Sequence, residues 1–188
     1  MNTLIVYTHP WEGSFNHHVL ETSKHVLETK GHQVDVIDLH ADGFDPIYHS
    51  HELKLFSQGK YLDPLAEDYA RRLKNADNVV FIFPIWWYGP PAILKGFFDK
   101  VFLNGHTYQQ NDKGEMKGIL NIKKAVAITT AHIEKIPLTE FLGNPIETLY
   151  LDGIMKLCGA QSTQWLHCGN VHLPDAREKF INDIKTSL

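Results

Sequence analysis

The sequence has only two cysteines, Cys158 and Cys168, and they form neither a CxxC pair nor a metal-ligand spacing. This argues against a disulfide framework and points to reduced core thiols in a cytoplasmic protein. Basic charge is also scarce. With 18 Lys and Arg against 22 Asp and Glu, the net charge is −4, which disfavours nucleic acid as a partner. No apolar run approaches the roughly 18 residues of a membrane span. The first ten residues, MNTLIVYTHP, lack the basic start of a secretory signal, so none is expected. There is no GxGxxG, no GxxxxGK[ST] and no HExxH. The common dinucleotide, nucleoside-triphosphate and zinc-hydrolase signatures are therefore missing, and the twelve histidines form no metal set.

What is present is a single stretch of 188 residues, 43% hydrophobic and 21% charged, the profile of one soluble globular domain spanning 1–188. Strand-like and helix-like patterns alternate along it. Short β-rich runs fall at residues 4–7, 34–37, 78–84, 124–129 and 161–166. Helical periodicity covers residues 14–29, 65–75, 91–103, 145–157 and 175–187. Residues 41–64, with Gly43, Pro46, Gly59 and Pro64, read as a long irregular stretch that caps a pocket or reaches a partner. The run Asn78-Val79-Val80-Phe81-Ile82-Phe83-Pro84 is apolar without alternation, the mark of a strand covered on both faces. Five strands alternating with five helices predict an α/β doubly wound five-stranded parallel sheet with helices on both faces. In such sheets a ligand lies beyond the carboxyl ends of the strands, where the winding reverses.

Two loops stand out there. After the first strand, Thr8-His9-Pro10-Trp11-Glu12-Gly13-Ser14-Phe15-Asn16 leads straight into a helix. The free amides and dipole of a helix start favour phosphate, although Ser14 or Asn16 can equally serve as an ordinary cap. After the third strand comes Ile85-Trp86-Trp87-Tyr88-Gly89-Pro90-Pro91. Three consecutive large aromatics cannot all enter one core, and flat aromatic walls suit a planar heterocycle. A packed loop or subunit contact is the plainer alternative. The next helix is apolar over most of its circumference (Ile93, Leu94, Phe97, Phe98, Val101, Phe102, Leu103), which predicts a second buried stripe and a homodimer.

The segment Phe83 to Phe102, FPIWWYGPPAILKGFFDKVF, resembles the signature of the NAD(P)H:quinone oxidoreductase family, whose bacterial members include general-stress enzymes and ancillary subunits of potassium-efflux systems. His9 with Ser14-Phe15-Asn16 is similar to that family's flavin-phosphate loop. Ile128-Thr129-Thr130 is similar to the start of its ITTGG loop, and Asp112-Lys113-Gly114 to its DKG. The resemblance runs from the N-terminus to about Gly159. It implies a flavodoxin-like fold, a dimer, a bound flavin (FMN, with FAD as the alternative) and NADPH or NADH as donor. The implied reaction is a two-electron, ping-pong hydride transfer through the flavin to a quinone or similar aromatic acceptor. The alternative it leaves is a regulatory subunit of a membrane potassium-efflux protein. By the same carry-over, His9, Ser14, Phe15 and Asn16 hold the phosphate and ribityl chain. Pro84, Ile85, Trp86, Trp87 and Tyr88 cradle the ring, Thr129, Thr130 and Ala131 approach its pyrimidine end, and Tyr108 lines the substrate pocket. Ala131 and His132 replace the family's paired glycines, and residues 133–143 offer no counterpart of the animal enzymes' tyrosine and histidine. His132 is thus the chain's own candidate for stabilising the charge that hydride arrival leaves on the ring.

Overall fold

The computed structural model describes residues 1–188. Its main sheet is built from β1 (Asn2–Tyr7), β2 (Gln33–Asp38), β3 (Asn78–Pro84), β6 (Lys124–Thr130) and β7 (Ser162–Cys168), all parallel, in the order β2-β1-β3-β6-β7. A short antiparallel hairpin, β4 (Tyr108–Gln110) with β5 (Met116–Gly118), stands apart. The helices are α1 (Phe15–Thr29), α2 (Ser50–Leu53), α3 (Pro64–Lys74), α4 (Ala92–Val101), α5 (Lys135–Glu140), a π-helix (Ile146–Lys156) and α6 (Pro174–Ser187).

The apolar strand runs have a direct cause. Alternate residues feed two separate cores. Leu4, Val6, Val79, Phe81, Phe83, Ala125 and Ala127 join α3, α4 and the π-helix in one. Ile5, Tyr7, Val80, Ile82, Val126 and Ile128 join α1 and α6 in the other. The chain runs from β1 outward to β2 and then returns to the far side of β1 as β3. This reversal brings the loops after β1 and β3 side by side, as the topology rule requires.

The stretch 41–64 is not structureless. Gly43 (φ +66°) and Gly59 (φ +61°) make its turns, α2 forms within it, and a 3₁₀ turn follows at Phe56–Gln58. Phe44 enters the larger core, and Lys100 of α4 binds Glu52 and Asp63 at 3.1 and 2.7 Å. Pro46 lies so close to α4 that a Cβ on Gly96 would fall 2.4 Å from it. Leu94, Phe97, Phe98 and Val101 are consequently buried within one copy of the chain. The all-round apolar character of α4 is therefore met by this chain's own cover, and it does not by itself call for a partner. Gly96→Ala should push that cover off α4 and cost about 1–3 kcal/mol, as overpacking does. A chemical-denaturation midpoint unchanged by the substitution would contradict the packing.

Two further elements were not anticipated: the β4–β5 hairpin and α5. Both are short, and the hairpin turns on Asn111, whose side chain accepts from the amides of Lys113 and Glu115. Asp112-Lys113-Gly114 is that turn, with Gly114 at φ +82°.

Candidate functional site

Three loops meet at the carboxyl end of the sheet. In the first, Ser14 caps α1, its hydroxyl accepting from the His17 amide at 3.1 Å. The amides of Phe15 and Asn16 have no partner, as expected for the first residues of a helix. Thr8 is fully buried at the end of β1, and its hydroxyl is unpartnered. An orphaned buried hydroxyl is costly unless a ligand meets it. His9 accepts from the Trp11 amide through Nδ1 at 3.1 Å, which leaves the ring proton on Nε2. Burial pushes the His9 pKa below the ordinary histidine value.

In the second loop, Trp86 and Gly89 exchange backbone hydrogen bonds at 2.9 and 3.2 Å. They close a tight turn over Trp87 (φ +48°) and Tyr88 (φ +68°). Bulky residues rarely adopt the left-handed region, and each costs on the order of 1–3 kcal/mol there. Trp86, Trp87 and Tyr88 are 48%, 94% and 47% exposed, whereas Pro84 and Ile85 are buried beneath them. A turn of this kind prefers Asn-Gly. The double substitution Trp87→Asn, Tyr88→Gly should therefore raise stability by about 2 kcal/mol and weaken ligand binding. A thermal melt and a binding titration on the same sample read both effects, and a stability loss would show that the turn carries no strain.

The third loop follows β6 and ties the others together. Asn16 Nδ2 donates to Thr130 Oγ1 at 2.9 Å, joining it to the first loop. The Ile85 amide donates to the Thr130 carbonyl at 2.9 Å, joining it to the second. His9 and Trp86 meet edge to face, with centroids 6.4 Å apart. The structure thus brings together His9, Ser14, Phe15, Asn16, Ile85, Trp86 and Thr130. It places others differently. The Thr129 hydroxyl accepts from Trp165 Nε1 and pairs with His167 Nδ1, both at 2.7 Å, so its side chain is spent inside the sheet. Ala131 is buried, while the exposed His132 ring stacks on His172 with centroids 4.8 Å apart. Tyr108 is only 9% exposed and belongs to the larger core.

Sequence reasoning missed Thr8, Trp165 and His167. Thr8 opens the first loop but was given no role there. The other two lie on β7, some 30 residues from the loop they support, and no motif connects them to it. A groove of about 610 Å³ between α1 and α6, lined by Ser14, His18, Arg177 and Lys185 among others, was also not foreseen.

Comparison with known proteins gives the arrangement its context. A family described as having the flavodoxin-like fold matches residues 1–188. An uncharacterized NAD(P)H oxidoreductase of Haemophilus influenzae is 29% identical, over 96% of this chain and 91% of its own length. The NAD(P)H dehydrogenase [quinone] 1 of Cavia porcellus is 30% identical over 98% of this chain and 75% of its own. An FMN-dependent NADH:quinone oxidoreductase of Caldicellulosiruptor bescii is 30% identical over 69% of this chain and 56% of its own. The NAD(P)H:quinone oxidoreductase of Methanothermobacter marburgensis superposes with a TM-score of 0.87 at 25% identity, over 100% of this chain and 96% of that one. The chain belongs to the flavodoxin-like NAD(P)H:quinone oxidoreductase family.

Proposed function

We propose that this protein is a flavin-dependent oxidoreductase that transfers two electrons from NAD(P)H to a quinone or similar aromatic acceptor. The observation that carries the reading is the junction of three loops, where unpaired helix-start amides and a strained aromatic turn are tied together through Asn16, Thr130 and Ile85. Each is an unmet or costly feature that a phosphorylated, planar ligand would satisfy. A bound flavin supplies the chemistry: it accepts two electrons from the nicotinamide and delivers them to the acceptor. The chain's residues hold and tune it. Phe15 and Asn16 offer helix-start amides to the phosphate, with Ser14 and the neutral His9 ring beside them. Trp86, Trp87 and Tyr88 offer flat apolar walls, and Thr130 and Ala131 bring the third loop alongside.

FMN is the preferred cofactor, as in the Caldicellulosiruptor relative. The α1–α6 groove favours FAD as the second reading, because His18, Arg177 and Lys185 could receive a second phosphate beyond Ser14. An absorbance spectrum of the purified protein tests the main reading. Flavin bands that bleach when NADPH or NADH is added anaerobically support it, and the mass of the released cofactor decides FMN against FAD. A protein that gives no flavin spectrum, even after reconstitution with either form, overturns it.

His132 is proposed to stabilise charge on the reduced ring. His132→Ala should slow flavin reduction and alter its pH profile, and an unchanged rate and profile would remove it from the mechanism. A homodimer is proposed because Trp87, Phe141 and Leu149 are 94%, 79% and 58% exposed. A solution mass of a single chain would refute it. A cytoplasmic site of action is proposed because both cysteines are free and buried. No helix is long and apolar enough to cross a membrane. A membrane potassium-efflux partner draws on no feature of this site.

A further inference from the structure

Behind the third loop runs a chain of hydrogen bonds whose every direction is determined. His167 Nε2 lies 2.9 Å from the Ile133 carbonyl. A carbonyl only accepts, so Nε2 carries the proton. Nδ1 of the neutral ring then accepts, so the Thr129 hydroxyl donates to it across 2.7 Å. That leaves a Thr129 lone pair for the indole N–H of Trp165, also at 2.7 Å. Thr129 is 0% and Trp165 4% exposed. Burial of the His167 ring lowers its pKa, with the Ile133 bond opposing, and the ring stays neutral as this pattern needs.

The effect on the loop is specific. Four successive carbonyls are all engaged: Thr130 accepts from Ile85, Ala131 from Val171, His132 from Asn170 and Ile133 from His167. The Ala131 amide donates to the Cys168 carbonyl at 2.9 Å. The amides of His132 and Ile133 have no partner. The loop is thus held with its acceptors used and two donors unused. Three of its carbonyls are held by backbone amides, whereas Ile133, the last, is held by a side chain.

We propose that His167 is the positioning residue of this site: by pinning the Ile133 carbonyl it fixes the unpaired His132 and Ile133 amides as donors for the acceptor edge of the bound ring. The proposal rests on the flavin reading above. Donors held in place before reaction stabilise developing negative charge without reorganising, so the clamp affects both cofactor affinity and potential. His167 itself does not touch the ring in this scheme.

The test uses His167→Leu, which leaves the Ile133 carbonyl without its donor and takes the Nδ1 acceptor from the Thr129 hydroxyl proton, and His167→Gln, which retains one donor and one acceptor. Thr129→Val, close to isosteric, guards against a leucine variant that fails to fold. Hydrogen exchange across residues 130–134 is read in the flavin-free protein. FMN affinity by fluorescence quenching and the midpoint potential of the bound flavin are read in the loaded one. Loss of one buried hydrogen bond converts to about tenfold in an equilibrium. Loop exchange about tenfold faster, FMN binding about tenfold weaker and a lower potential are expected in His167→Leu, with recovery in His167→Gln and smaller changes of the same sign in Thr129→Val. If the wild type binds flavin and the variants match it in exchange, affinity and potential, His167 is not the positioning residue. If the wild type binds no flavin, the functional reading fails and His167's role toward the ring fails with it, whatever the loop exchange shows.

Discussion

Lys100→Met should lower stability by about 3–5 kcal/mol, the cost of breaking a buried ion cluster by removing one member. Lys100 is 3% exposed and lies 3.1 Å from Glu52 and 2.7 Å from Asp63; it also donates to the Asp45 carbonyl at 3.0 Å. The losses are unequal. Asp63 would keep the Leu65 amide that it caps, at 2.9 Å, whereas Glu52 would keep only the His49 amide on its other oxygen. Glu52 is then the stranded charge, so adding Glu52→Gln to Lys100→Met should recover part of the loss. In a domain of this size the single change corresponds to a Tm drop on the order of 10 °C. Burial disfavours the lysine charge, but Asp63 and Glu52 outweigh it and hold the Lys100 pKa above its usual 10.5. Its contribution is therefore complete below about pH 10.5 and fades as the pH rises through the raised value. Wild-type stability measured against pH should show that alkaline loss, and Lys100→Met should flatten it. Equal thermal midpoints for the two proteins would mean that the cover formed by residues 41–64 is held by its apolar contacts alone.

The position of Lys100 also shows where the sequence stops being legible. It lies inside the aromatic-rich segment that carries the family resemblance, yet nothing in that segment points to Glu52 or Asp63, 48 and 37 positions earlier. Strand β3 was readable to its last residue because burial on both faces leaves an apolar run that nothing interrupts. The parallel, doubly wound sheet with helices on both faces followed from the alternation of strand and helix and the rule of right-handed crossovers, whereas the strand order β2-β1-β3-β6-β7 came only with the structure. The β4–β5 hairpin was not readable, since three-residue strands are too short to show a period. The same limit applies at the site. Ser14, Asn16 and Trp86 were visible because loops carry local composition, and two of them sit next to an identifiable helix start. His167 was not, because its meaning is a pairing across the sheet between β6 and β7. The second apolar stripe of α4 was read as buried and it is, but under this chain's own residues 41–64, for a related reason: periodicity shows that a face is apolar but not which part of the chain covers it.

Ser14→Asp should abolish tight FMN binding while leaving the fold as stable as before, or slightly more so. Aspartate is as good an N-cap as serine, and a negative charge at a helix start is favoured by the dipole. If Ser14 did nothing but cap α1 through its bond to the His17 amide, the substitution would be silent or mildly stabilising in every assay. If the loop also holds a phosphate, the new carboxylate stands where the ligand's charge must go and competes for the same helix-start donors. Like charges brought together at a binding site cost several kcal/mol, and about 3–4 kcal/mol weakens binding by roughly a hundredfold to a thousandfold. The two measurements therefore separate the two roles of one residue. A thermal melt of the flavin-free protein reads the cap, and fluorescence quenching by FMN reads the phosphate. Riboflavin, which lacks the phosphate, sharpens the comparison: its affinity for the variant should stay near its affinity for the wild type. A Ser14→Asp protein that binds FMN like the wild type would place the phosphate elsewhere on the chain. One that loses FMN and riboflavin equally would point to a disturbed ring site and not to charge.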